Sequence, residues 1–147
     1  MDISLSMVRM ARGEYPWASF LSGDALALPF RSGCCDVLIS GTVLMHLLGY
    51  REAIRESRRV AARWCVFHTV PILRRLPTAL LQKMAYGGPT VEVLFNEDEL
   101  LGLFAKHGFS LRCELPSIPY DVGSIVGVPT VTKTYVCEIA RENQEVS

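Results

Sequence analysis

The run Cys35-Asp36-Val37-Leu38-Ile39-Ser40 constrains this chain more than any other. It is short, apolar and β-branched and ends in a small polar residue, the pattern of a strand buried on both faces of a parallel sheet. Ahead of it stands Gly23-Asp24-Ala25-Leu26-Ala27-Leu28-Pro29-Phe30, read as a strand end with one acidic residue and then a short loop. Ligands of open α/β sheets sit at the carboxyl ends of the strands. Asp24 and the Ser40-Gly41-Thr42 run are therefore both expected on that rim.

The 147 residues suit one domain, and half of them are hydrophobic, enough for a sizeable core. Fifteen basic residues balance fifteen acidic ones, which argues against a dedicated nucleic-acid surface. Arg55, Arg58, Arg59 and Arg63 cluster locally; they read as the solvated face of a helix, with RNA or phosphate contact as the alternative. Five cysteines (Cys34, Cys35, Cys65, Cys113, Cys137) form no C-x-x-C pair, and the adjacent Cys34 and Cys35 are poorly placed for an ordinary disulfide. Cys65, Cys113 and Cys137 sit in apolar runs as small hydrophobes. A reduced intracellular setting follows as the expectation. Neither a signal peptide nor a run of membrane-spanning length is read, so a cytoplasmic protein without a membrane span is expected.

Taken in order, Ser4 can cap a helix that Gly13 closes. Ala18 to Ser22 is a strand candidate. Tyr50 to Ala61 is an amphipathic helix with Ala53, Ile54, Ser57, Val60 and Ala61 on one face, and with Glu52–Arg55 and Glu56–Arg59 spaced to pair weakly. Trp64 to Pro71 is the next strand and ends near His68. Ile72 to Tyr86 has helical spacing at Leu73, Leu76, Leu80, Leu81 and Met84, interrupted at Pro77. Asn96 is the expected cap of a helix that Glu97, Asp98 and Glu99 favour and Gly108 stops. His107, near its end, reads as solvent-facing or dipole-stabilised. Phe109 to Leu115 and Thr132 to Ala140 are strands joined by a Pro/Gly-rich loop, and Arg141 to Ser147 is a polar tail expected to fray.

Gly23-Asp24-Ala25-x-x-Leu28-Pro29-Phe30 followed by Asp36-Val37-Leu38-Ile39-Ser40 closely resembles the pattern of class I S-adenosylmethionine-dependent methyltransferases, particularly the type 11 group. The resemblance implies an α/β, Rossmann-like sheet with helices on both faces and an antiparallel last strand inserted beside the fifth. It implies S-adenosylmethionine as cofactor. Met1-Asp2-Ile3-Ser4 is similar to the segment whose acidic residue accepts bonds from the ribose hydroxyls, so Asp2 and Ile3 take those positions. Asp24 takes the place of the aspartate that binds the adenine amino group, Ala25 that of a backbone contact, and Ser40 lies on the same rim. From the residues alone, each aspartate also reads as a cap. Val43-Leu44-Met45-His46-Leu47 resembles the family's Val-Leu-His-His-Leu, with Met45 in place of the first histidine. His46 is thus the candidate general base, with a satisfied structural histidine as the plain alternative; His68 is a weaker candidate on the same rim. No cysteine–histidine set reads as a metal site.

The glycine-rich loop of the family, Gly-x-Gly-x-Gly, does not occur. The resemblance begins at the end of the family's second strand, so residues 1–140 are expected to be a partial domain, a fragment of a longer enzyme lacking the first strand. The function expected is methyl transfer to an unidentified acceptor, a small molecule or lipid rather than nucleic acid. The competing reading is a non-catalytic Rossmann-like interaction module. A homodimer through the exposed sheet edge or through the 72–86 helix is a further expectation.

Overall fold

The computed structural model describes residues 1–85 and 87–140. In chain order these form α1 (Leu5–Glu14), β1 (Cys35–Gly41), a 3₁₀ turn (Leu44–His46), α2 (Tyr50–Val60), β2 (Ala61–Leu73), β3 (Ala79–Ala85), β4 (Gly88–Asn96), α3 (Glu97–Lys106), β5 (Phe109–Pro116), α4 (Gly123–Val126) and β6 (Thr130–Ile139). The expected tail, Arg141 to Ser147, lies outside the described residues.

The long strand β2 organises the sheet. Along one edge it pairs in parallel with β1, from Val37 opposite Trp64 to Gly41 opposite His68. Further along the same edge it pairs in parallel with β4 at Ile72–Phe95 and Leu73–Asn96. Its other edge takes β6 antiparallel, and β5 lies outside β6, also antiparallel. The closing strand is thus inserted between β2 and β5, as the resemblance implies. The crossover from β1 to β2 is α2, which buries Ala53, Ile54, Ser57 and Val60 and runs into β2 with no intervening loop.

Local signals explain several element ends. The Ser4 hydroxyl accepts from Met7 N and the Asn96 side chain from Glu99 N, so both predicted caps form. Gly108 has φ 76°, the left-handed turn that ends α3 at little steric cost. Ala18 to Ser22 forms no extended strand; Ser22 makes only an isolated parallel bridge with Asp2.

The segment 72–86 corrects the sequence reading. Instead of a helix, β2 continues to Leu73, and Ala79–Ala85 pairs antiparallel with Gly88–Asn96. Leu80 and Met84, four apart, share a helical face and equally share a strand face, since their spacing is even. The break at Pro77 and the turn at Gly87, with φ 81°, favour the hairpin. A dimer through a 72–86 helix therefore has no helix to use.

The main core lies on one face of the sheet. Cys65 and Phe67 of β2, Tyr135 and Cys137 of β6, Ile54 of α2 and Leu100 and Phe104 of α3 are all buried there. Phe67 stacks on Phe104 with centroids 4.5 Å apart, and both meet Phe109 edge-on. The alternate residues differ sharply: Val37 and Ile39 are 52% and 68% exposed, and Leu115 of β5 is 49% exposed. Among the described residues, β1 pairs with β2 alone.

Candidate functional site

The Asp2–Ser22 bridge places the segment carrying Asp2 beside the segment that leads to Asp24. Asp2 N donates to Leu21 O at 3.2 Å and Gly23 N to Asp2 O at 3.0 Å. Between these segments and β1 lies a cavity of about 380 Å³. Asp2, Ile3, Asp24, Ala25 and Ser40 all line it, whereas His46 and His68 do not. Leu28, Phe30, Leu44 and Leu47 supply apolar wall.

Both aspartates also act locally. Ser4 N donates to Asp2 Oδ1 at 2.8 Å, and Leu26 N donates to Asp24 Oδ1 at 2.9 Å. The capping role and the site position therefore coexist, since a carboxylate accepts through both oxygens. Both residues remain exposed to solvent.

The loop after Asp24 is held by a clamp that sequence reasoning read only as a weak helical pair. The Glu56 carboxylate, buried, accepts from Leu28 N at 2.8 Å and from Arg59 Nε and Nη2, each at 2.8 Å. Arg59 in turn donates to the carbonyls of Phe30 (2.7 Å) and Leu28 (2.9 Å). The Arg59 hydrogen bonds outweigh burial and hold the Glu56 carboxyl below its ordinary range. Two cavity residues, Leu28 and Phe30, are thereby fixed to α2. Leu26 completes the attachment: a Cβ added to Gly49, the N-cap of α2, would lie 3.0 Å from both its methyl groups.

The rim beyond the cavity has an unusual backbone. Thr42, just after β1, and Thr69, inside β2 where its pairing with β6 is irregular between Phe67 and Val70, have φ of 58° and 56°. β-Branched residues are outliers in that region, and such conformations cluster at functional sites. Thr42 N donates to His68 O at 3.0 Å, tying the end of β1 to the middle of β2, and buried Thr69 bonds Ser117 through its hydroxyl at 2.9 Å. His68 Nδ1 is 2.9 Å from Thr134 Oγ1. Threonine has no sequence signal for positive φ, so this pair was not legible in advance.

His46 sits apart from the two aspartates, in the 3₁₀ turn, half-buried, with Nδ1 3.5 Å from the carbonyl of Val91 on β4. It does not line the cavity. The β3–β4 hairpin that approaches it carries exposed Leu80 and Met84. The other side of the hairpin is anchored: Lys83 Nζ meets Glu92 Oε1 at 2.7 Å, and the Tyr120 hydroxyl donates to Glu92 Oε2 at 2.5 Å. No group of three or more metal-ligating side chains occurs among the described residues. No helix among them is long and apolar enough to cross a membrane.

The fold is shared with solved structures. The chain superposes on an S-adenosylmethionine-dependent methyltransferase from Methanosarcina mazei with a TM-score of 0.67 and 15% identity, covering 96% of this chain and 81% of that one. It superposes on magnesium protoporphyrin IX methyltransferase from Synechocystis, crystallised with bound S-adenosylmethionine, with a TM-score of 0.63 and 14% identity. That match covers 94% of this chain and 57% of the other. Over part of the chain, residues 1–67, the sequence matches the family model described as a methyltransferase domain. A demethylmenaquinone methyltransferase from Streptomyces griseus is 32% identical over 59 residues, 40% of this chain but only 26% of that relative's length. Residues 1–67 thus match a methyltransferase-domain family, and the chain shares its fold with S-adenosylmethionine-dependent methyltransferases.

Proposed function

We propose that the chain binds the adenosine part of S-adenosylmethionine in the cavity beside β1 and serves methyl transfer to a small or lipophilic acceptor. The observation that carries this reading is the convergence of Asp2 and Asp24, from separate segments, on one cavity with apolar walls. Its volume falls within the range of ordinary ligand pockets. The donor set suits adenosine: a carboxylate can grip the ribose diol, a second can accept from the adenine amino group, and Leu28, Phe30 and Leu47 can hold the base. At the methionine end the fit is weaker, because no basic side chain is among the residues that line the cavity.

S-Adenosylmethionine bound there supplies an electrophilic methyl group. In this reading Asp2 and Asp24 orient it, and the Glu56–Arg59 clamp keeps the Leu28–Phe30 wall in place. His46 can take a proton from an acceptor lying against the hairpin. Alignment of acceptor and methyl group does most of the work in such a reaction. The exposed Leu80 and Met84 support an apolar acceptor over nucleic acid, and the acceptors named for the relatives are small or lipophilic molecules.

Calorimetric titration with S-adenosylhomocysteine tests the reading. Binding that Asp24→Ala weakens at least tenfold, with the variant still folded by circular dichroism, is the expected result. A folded chain that shows no heat of binding at millimolar ligand would overturn it.

A further inference from the structure

Outside the aspartate-lined end of the cavity, one chemical group stands unused: the adjacent thiols at the start of β1. Cys34 is exposed and Cys35 half-buried, yet their sulfurs lie only 3.7 Å apart. Consecutive side chains of a regular strand point to opposite faces. Here Cys34 precedes the strand and follows Gly33, whose φ of 62° turns the chain, so both sulfurs come to the same side. Gly33 N also donates to Arg59 O at 2.8 Å, anchoring the turn to the end of α2. Cys35 lines the cavity as well, so the pair is reachable from two directions.

Three uses of such a pair can be weighed. A disulfide needs sulfurs about 2.05 Å apart, and joining neighbouring residues strains its geometry. A zinc ion needs four ligands in a structural site, and no third His, Cys, Asp or Glu joins the pair in a metal-holding group among the described residues. A trivalent centre that already carries one organic group needs only two sulfurs. We propose that Cys34 and Cys35 form a vicinal dithiol site for soft, thiophilic trivalent centres of the organoarsenical type. With an arsine oxide, R–As=O, both thiols lose their protons, two As–S bonds replace the As=O bond, and one water leaves. Arsenic stays trivalent throughout, so neither oxidant nor reductant is required. The site does not depend on the methyl-transfer reading.

The remaining cysteines sharpen the test. Cys65 and Cys137 are fully buried, and burial raises both thiols, Cys137 to about 12. Cys113 is exposed and far along the chain, on β5. The native chain should therefore expose three reactive thiols to a disulfide reagent. One equivalent of phenylarsine oxide should leave one, and peptide mass spectrometry should place the adduct across Cys34–Cys35. The adduct should survive excess 2-mercaptoethanol and be removed by 2,3-dimercaptopropanol. Cys34→Ser and Cys35→Ser should each weaken capture at least a hundredfold, while Cys113→Ser leaves it unchanged. Three thiols still reactive at saturating phenylarsine oxide, or equal capture by Cys34→Ser, would overturn the proposal. The mass measurement on the unaltered chain decides the matter even if a serine variant fails to fold.

Discussion

The two faces of the sheet across β1, β2 and β6 are built from the same kinds of residue and have opposite fates. On one face Leu38, Cys65, Phe67, Tyr135 and Cys137 meet α2 and α3 and belong to the main core. On the other, Val37 and Ile39 of β1 stay largely exposed, and Val66 and Val136 are only half-buried. Composition cannot tell these rows apart, since both are apolar and β-rich. What separates them is whether a helix arrives. α2 crosses from β1 to β2 on the first face, and α3 returns from β4 to β5 on it. The helix α1 contributes nothing to the main core and buries Val8 alone. Hydrophobic stabilisation scales with apolar area removed from water, so the first face should dominate the stability of the chain.

Truncation variants on the two faces measure that difference. Phe67→Ala removes a ring packed on Phe104 and Phe109 and should cost about 3–5 kcal/mol in denaturant unfolding. A smaller effect is expected from the clamp joining the first face to the cavity. Glu56→Gln leaves Arg59 and Leu28 N with weakened partners and should cost about 1–3 kcal/mol, with a parallel loss of S-adenosylhomocysteine affinity. Smallest in its effect on stability is Ile39→Thr, on the open face where Ile39 also lines the cavity; it should change stability by about 0.5 kcal/mol or less. It should also reduce binding of a hydrophobic dye. An Ile39→Thr cost equal to that of Phe67→Ala would show that the second face is covered in solution.

The clamp also gives a pH dependence. The folded Glu56 carboxyl lies below its ordinary value of 4.5, chiefly through its Arg59 hydrogen bonds. A depressed carboxylate contributes stability that is present above the unfolded value and lost as pH falls through the folded one. Stability of the native chain should therefore decline more steeply than that of Glu56→Gln as pH drops below about 4.5. Equal slopes in urea titrations at successive pH values would remove Glu56 from the acid response.

What could be read in advance followed the range of the interactions. The Asn96 cap and the Gly108 stop depend on residues a few positions apart, and both form. Asp24 and Ser40 are expected on one rim because ligands of open sheets sit at strand ends, whereas Asp2, Ile3 and Ala25 are placed there only by the family resemblance. The 72–86 segment reads as a helix in sequence because residues four apart, such as Leu80 and Met84, fit both periods, and the choice rests on pairing of Ala79–Ala85 with Gly88–Asn96. The hairpin signal was there, in Gly87-Gly88 between two apolar runs, but it gains force only when both strands have somewhere to pack.

From its amino-acid order alone, this chain determined its α/β class, the strand at Cys35 and the caps of α1 and α3. Those are local choices, made by backbone preferences and side chains that act within a turn. Tertiary structure alone decided that Glu56 and Arg59 grip the loop after Asp24, that Thr42 and Thr69 turn left-handed at the rim, and that His46 stands against β4. It also decided which apolar row is buried. Each of these depends on groups far apart in the chain being brought within a few ångströms, where a hydrogen bond or a packed ring can outweigh the local preference.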